Sequence, residues 1–175
     1  LLDLIHLFLG PVLGGVGHRV AAIAVGLDLE DVRPLARASP LAGLLDRPGI
    51  GGAVVIDGKL FNGFANRGTE LGHVPLIANG EPCACGSIGC LEHYASTSAL
   101  VRRFSKRAAE TGRSFSGEEI NGELIVRLYK EGDKLATECL DEHCDFLGHG
   151  IAGFINIFSP QRIVIGGGLS EAGDF

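Results

Sequence analysis

Three cysteines within eight residues, Cys83-Ala84-Cys85-Gly86-Ser87-Ile88-Gly89-Cys90, constrain this chain more than any other feature. Thiolates on so tight a turn reach a common point, and zinc takes four such soft or borderline ligands in a tetrahedron. Gly86 and Gly89 supply the backbone freedom that the turn needs. The chain has five cysteines, an odd number, which argues against a complete disulfide framework and for metal ligation in a reducing, cytoplasmic setting. The fourth ligand is assigned to His73, ten residues upstream of Cys83 across a loop that contains Pro75 and Pro82. His93 is the rival, although it directly follows Glu92 at a predicted helix start. The alternative to a metal site is three buried thiols. Cys139 and Cys144 stand five apart on a predicted helix, do not share a face, and read as core or free thiols.

The formal net charge of −6 and the lack of a basic run give this stretch no electrostatic footprint for nucleic acid. Its most apolar region, residues 1–27, is interrupted by Asp3, His6, Pro11, His18 and Arg19. It falls short of the roughly 20 apolar residues a membrane span needs. The same region lacks the basic start and small-residue cleavage pattern of a signal peptide. With no methionine at its first position or anywhere else, the chain is expected to be a piece of a longer protein.

Composition changes near Pro48. Residues 1–47 contain no Asn, Thr, Lys or Cys, while 12 of the 47 are Leu, and all the missing types appear afterwards. This sets residues 1–47 apart as an atypical N-terminal segment, with 48–175 as the main unit. Two readings of the segment stand: a Leu/Ala/Arg-rich helical region, or sequence that is truncated, misjoined or read in the wrong frame. Within it, Val20 to Leu27 reads as either a buried strand or a helix segment, and Leu41, Leu44 and Leu45 as one side of a short helix.

From Gly49 onwards the local signals are clearer. Ala53–Ile56 and Lys59–Phe61 flank Asp57-Gly58, a dipeptide that closes β-hairpins. Leu91 to Glu110 predicts one amphipathic helix stopped by Gly112, with Leu100, Val101, Phe104 and Ala108 on its apolar face. Further helices are predicted over 118–130 and 134–158, the last ended by Pro160. A β-branched strand over Arg162–Ile165 then opens into Gly166-Gly167-Gly168. Strands and helices mixed in this way predict an α/β or α+β unit.

Glu70-Leu71-Gly72-His73, followed by Cys83-x-Cys85-Gly86-x-x-Gly89-Cys90-Leu91-Glu92, resembles the signature of the ROK family (repressor, open reading frame, kinase). Gly49-Ile50-Gly51-Gly52, Tyr94-Ala95-Ser96 and Ile163-Val164-Ile165-Gly166-Gly167-Gly168-Leu169 extend the resemblance over residues 49–175. Members of this family include glucokinases, fructokinases, N-acetylmannosamine kinases and sugar-responsive repressors. The resemblance implies an α/β, actin-like (ribonuclease H-like) sugar kinase fold, mostly its C-terminal lobe, with an inserted zinc loop. It also implies a homodimer, a hexose or N-acetyl hexosamine substrate, and ATP with Mg as cosubstrate.

Residue by residue, the resemblance assigns structural zinc to His73, Cys83, Cys85 and Cys90. It assigns sugar hydroxyls to Glu70, His73 and Glu92, the ATP phosphates to Gly49, Gly51 and Gly52, and the nucleoside to Gly166, Gly167 and Gly168. These roles make physical sense. A carboxylate accepts two hydroxyl hydrogens at once and so fixes the orientation of a polyol. Zinc on one ring nitrogen of His73 fixes the tautomer and leaves the other nitrogen for the sugar. Glycine clusters are usually plain turns, but without Cβ atoms they also let backbone N–H groups approach phosphate.

Two motifs that the resemblance implies are not found: the Asn-Asp-x-Asn that carries the general base, and an Asp-x-Gly-x-Thr phosphate loop. Asp28, Asp31 and Asp46 sit in unrelated contexts, and no catalytic residue is assigned. Arg47-Pro48 stands where the family carries Gly-Thr, removing a backbone N–H and a hydroxyl. The expected parent activity is ATP-dependent phosphorylation of a hexose or amino sugar. The alternatives are a sugar-sensing transcriptional repressor and a remnant without function.

Overall fold

A computed structural model of the chain describes residues 20–26, 49–56, 59–115, 119–166 and 169. Among these residues four strands form one sheet: β1 (Val20–Gly26), β2 (Gly51–Ile56), β3 (Lys59–Leu60) and β4 (Ile163–Gly166), in the order β3-β2-β1-β4. The ambiguity over Val20 to Leu27 resolves to a strand, and the N-terminal segment thereby supplies a central strand of the sheet. The β-branched run Val54-Val55-Ile56 suits the pleated, half-buried surface of β2. β1 runs antiparallel to β2 and parallel to β4. The Asp57-Gly58 turn and the Leu41, Leu44 and Leu45 helix lie outside the described residues, as do Asp28, Asp31, Asp46 and Arg47-Pro48.

The helices are α1 (Glu92–Ala95), α2 (Thr97–Glu110), α3 (Gly122–Lys130) and α4 (Lys134–Phe158). The single helix expected over Leu91–Glu110 is in fact two. Ser96 is extended (φ −84, ψ 159), and its hydroxyl accepts a hydrogen bond from the Ala99 backbone N–H at 3.2 Å. A serine that caps in this way starts a new helix. The second helix begins at Gly122, because Asn121 is its cap and accepts from the Leu124 N–H at 2.9 Å. The third matches its expected span, 134–158. Asp133 caps it through Ala136, and Ser159, in the left-handed region, ends it just before Pro160. The last strand is shifted one residue, to Ile163–Gly166.

α2, α3 and α4 bury their apolar faces together. Leu100, Phe104, Ile125, Ile151 and Phe154 are each no more than 1% exposed and belong to one cluster with Leu91. Fully burying each such side chain contributes about 1.5–3 kcal/mol. Leu91, 1% exposed, therefore fixes the chain at the junction between the cysteine loop and α1. Among the described residues no helix is long and apolar enough to cross a membrane.

Candidate functional site

The cysteine loop is held by its backbone before any side chain is considered. The Leu76 N–H donates to the Gly89 carbonyl at 2.7 Å, Gly89 N–H to Glu81 at 2.7 Å, Cys83 N–H to Ser87 at 2.8 Å, and Leu91 N–H to Val74 at 2.9 Å. Pro75 pairs with Cys90, and Pro82 with Ile88, as isolated bridges. Gly86 and Gly89 both take positive φ, +90° and +69°, as the tight turn requires. A side chain at Gly89 would run into the Ile77 carbonyl oxygen.

This scaffold gathers His73, Cys83, Cys85 and Cys90 so that one ligand atom from each lies within 4.8 Å of the others. Cys85 Sγ is 3.7 Å from Cys90 Sγ, and Cys83 Sγ is 3.5 Å from His73 Nδ1. The edge of a sulfur tetrahedron around zinc, with bonds of about 2.3 Å, is about 3.8 Å. The donor set and its spacing therefore fit that ion. Cys83 and Cys90 are buried and Cys85 is exposed. Burial, with help from the other two thiols, pushes the Cys90 thiol up to about 12, and burial also raises Cys83. Cys85 is lowered, chiefly by the backbone hydrogen bond of Ser87 and then by Cys83. Three thiols so close resist joint ionisation unless a cation is shared among them.

His93 also lies within reach of Cys83 and Glu92, all three offering ligand atoms within 4.8 Å. Among the described residues, only His73 groups with all three cysteines. His93 Nδ1 stands 3.7 Å from Glu81 Oε2, and Arg102 ties this corner together through Glu81 Oε2 at 3.2 Å and the His93 carbonyl at 2.6 Å. The Tyr94 hydroxyl accepts from the Glu81 N–H at 2.7 Å. Glu81, Arg102 and Tyr94 brace the loop. Sequence reasoning passed over Glu81 and Arg102, since their partners lie 9 to 21 positions away.

The three residues expected to meet the sugar fall into two groups. Glu92 Oε1 is 3.5 Å from both His73 Nδ1 and Cys83 Sγ, so Glu92 and His73 share one half-buried wall. Glu70 is exposed, just before the 3-10 turn Leu71–His73, and its carbonyl accepts from the His73 N–H at 3.0 Å. Its carboxylate is not part of the cluster.

The expected nucleotide glycines are also placed in part. Gly51 lies opposite Gly26 on one side of β1, and Gly166 lies opposite Gly26 on the other, so three strands end in a row of glycines. Gly26 joins this row although its neighbours give no sequence motif. Gly52 packs on the Leu71 side chain. Gly49 faces the site itself, since a Cβ there would lie 2.7 Å from Glu92 Oε2. Gly167 and Gly168 lie outside the described residues.

Comparison with known proteins sets this geometry in context. The ROK family model matches residues 47–175. The chain is 39% identical over 133 residues to a glucokinase of Thermotoga maritima, covering 72% of this chain and 42% of that protein. It is 36% identical over 132 residues to a xylose repressor of Caldicellulosiruptor bescii, covering 72% of this chain and 33% of that one. The chain thus spans less than half the length of these relatives. A solved ROK glucokinase from Streptomyces griseus, in complex with glucose and AMPPNP, superposes with a TM-score of 0.69 at 30% identity, covering 91% of this chain and 48% of that one. The chain belongs to the ROK family.

Proposed function

We propose that this chain carries the zinc-bound, sugar-contacting part of an ATP-dependent hexose or amino-sugar kinase. One observation carries the reading: Glu92 and His73 form a common wall directly against the four-ligand cluster. In this reading His73, Cys83, Cys85 and Cys90 hold a structural zinc that leaves no position open to water. Zinc supplies rigidity there and no chemistry of its own. Glu92, two residues after Cys90, is fixed in position to accept sugar hydroxyls, and Glu70 reaches the sugar from the rim. The row Gly51, Gly26 and Gly166 leaves room for ATP phosphates at the sheet end, with Gly167 and Gly168 continuing towards the nucleoside. Residues 48–175 form the ROK unit, residues 1–47 differ from it in composition while adding β1 to its sheet, and the assembly is a homodimer. The general base comes from an Asn-Asp-x-Asn motif outside these 175 residues.

The similarity to a xylose repressor supports a second reading, in which the same wall senses a sugar without phosphorylating it. Joining the chain to a lobe that carries Asn-Asp-x-Asn and assaying ADP release with Mg-ATP and a hexose series separates the two. Sugar-dependent ADP release is expected for the kinase. Sugar binding without ADP release would favour the sensor, and no sugar binding by zinc-loaded, folded protein would overturn both.

A further inference from the structure

The four donors of the cysteine cluster are not equivalent. Cys83 turns to His73 and Glu92, with both contacts at 3.5 Å, whereas Cys85 and Cys90 face each other at 3.7 Å. Cys85 is exposed and Cys90 is 0% exposed. Between them lie Gly86, whose missing Cβ would meet nothing within 4 Å, and Gly89, both at positive φ. An accessible sulfur thus sits beside a shielded one, on a turn with room to tighten.

We propose that Cys85 is an oxidation site for hydroperoxides, with Cys90 as its resolving thiol. The sulfur of Cys85 attacks the terminal peroxide oxygen, the O–O bond breaks, and an alcohol (water from hydrogen peroxide) leaves, giving a sulfenic acid. The sulfur of Cys90 then displaces hydroxide from that sulfenic acid, which leaves as water with a proton. In balance, two thiols and one hydroperoxide give one disulfide, one alcohol and one water. The sulfurs must close from 3.7 Å to a bond of about 2.05 Å, a movement within the reach of side-chain rotation and a glycine turn. Cys83 lies in the same cluster but also contacts His73 and Glu92 at 3.5 Å, so the geometry favours Cys85–Cys90 over either bond to Cys83.

The consequence for metal rests on the zinc reading above. Two of four ligands are consumed, so each bond formed releases one zinc and loosens the segment that holds Glu92. The disulfide itself requires no zinc.

The test treats the zinc-loaded 175-residue chain with equimolar hydrogen peroxide, follows free zinc with a chromogenic chelator, alkylates the remaining thiols, and maps the bonds by peptide mass spectrometry. The expected result is a Cys85–Cys90 cross-link lighter by two hydrogens and one zinc released per bond. Dithiothreitol with added zinc should reverse both, while Cys139 stays alkylated. Cys83→Ser should keep the cross-link and Cys85→Ser should lose it. If elemental analysis finds no zinc beforehand, the zinc reading fails, and the cross-link in the metal-free chain still decides the proposal. A bond that includes Cys83, or sulfinic acid on Cys85 without a cross-link, would overturn it. So would intact thiols after excess peroxide, in folded protein whose circular dichroism is unchanged.

Discussion

Gly49 lies against Glu92: a Cβ at position 49 would stand 2.7 Å from the Glu92 carboxylate oxygen Oε2. The same carboxylate reaches His73 Nδ1 at 3.5 Å through its other oxygen. A glycine expected to serve phosphate thus borders the wall expected to serve sugar. In the joined kinase, Gly49→Ala is expected to displace Glu92 and raise the sugar KM more than the ATP KM. The two KM values, measured separately by ADP release, check this.

Zinc content is the most direct measurement. Folded, metal-replete protein should contain about one zinc per chain, since His73, Cys83, Cys85 and Cys90 form one closed set. Cys90→Ser should lose the metal and lower the thermal midpoint, because binding of this kind is coupled to folding. Elemental analysis and a melting curve check both.

Glu92→Ala should leave the zinc in place, because Glu92 is a neighbour of the ligands in this reading. Loss of a hydrogen bond to a charged group costs about 1.5–3 kcal/mol. Affinity for the preferred sugar in the joined protein should therefore fall about ten- to hundredfold. Calorimetry with a hexose series reads this directly.

His143 sets an acid limit on stability. It is 1% exposed on α4, and neither ring nitrogen has a hydrogen-bond partner among the described residues. Burial, with the nearby Arg103 charge second, lowers its pKa from 6.5 to about 4. The folded form therefore resists a proton that the unfolded chain accepts. This contribution is absent above about pH 6.5, and as pH falls from there to about 4 it costs stability on the order of 3 kcal/mol. His143→Leu should flatten that part of the pH–stability curve without a large loss at neutral pH, as urea melts from pH 4 to 7.5 would show.

Expressed alone, the 175-residue chain should phosphorylate sugars far more slowly than ordinary enzymes. The general base expected in Asn-Asp-x-Asn is not among its residues, and lack of such a base typically costs 10²–10⁴-fold. A coupled ADP-release assay on zinc-loaded protein, with glucose, fructose, mannose and the N-acetyl hexosamines, tests this. Turnover of roughly 1–10³ per second would point to a base within residues 1–47, with Asp28 and Asp31 first to mutate.

The cysteine cluster was legible because its spacing is local: eight residues on a glycine turn leave three thiols few places to go. The span of α4 was legible for a similar reason, with Asp133 and Pro160 marking its ends. The break at Ser96 was not read, because apolar periodicity continues across it while the capping hydroxyl reverses the local preference. Contacts between distant positions left no sequence signal at all. Gly49 against Glu92 is one, and Gly26 between Gly51 and Gly166 is another. Glu70 shows the converse, because nearness in sequence to His73 leaves its carboxylate outside the four-ligand cluster.

The position of β1 has a kinetic consequence. Ile23 pairs with Ile163 across 140 positions of chain (163 − 23), whereas α2, α3 and α4 follow one another and pack together. Closing long loops costs entropy before any contact repays it, and folding slows as contacts become less local. The helical layer is therefore expected to collapse first, with the sheet completed only when the remote β4 arrives beside β1. Pulse-labelled hydrogen exchange during refolding should protect the amides of α4 before those of β1 and β4. Chaperones would meet this chain with its helices formed and its sheet edges still open.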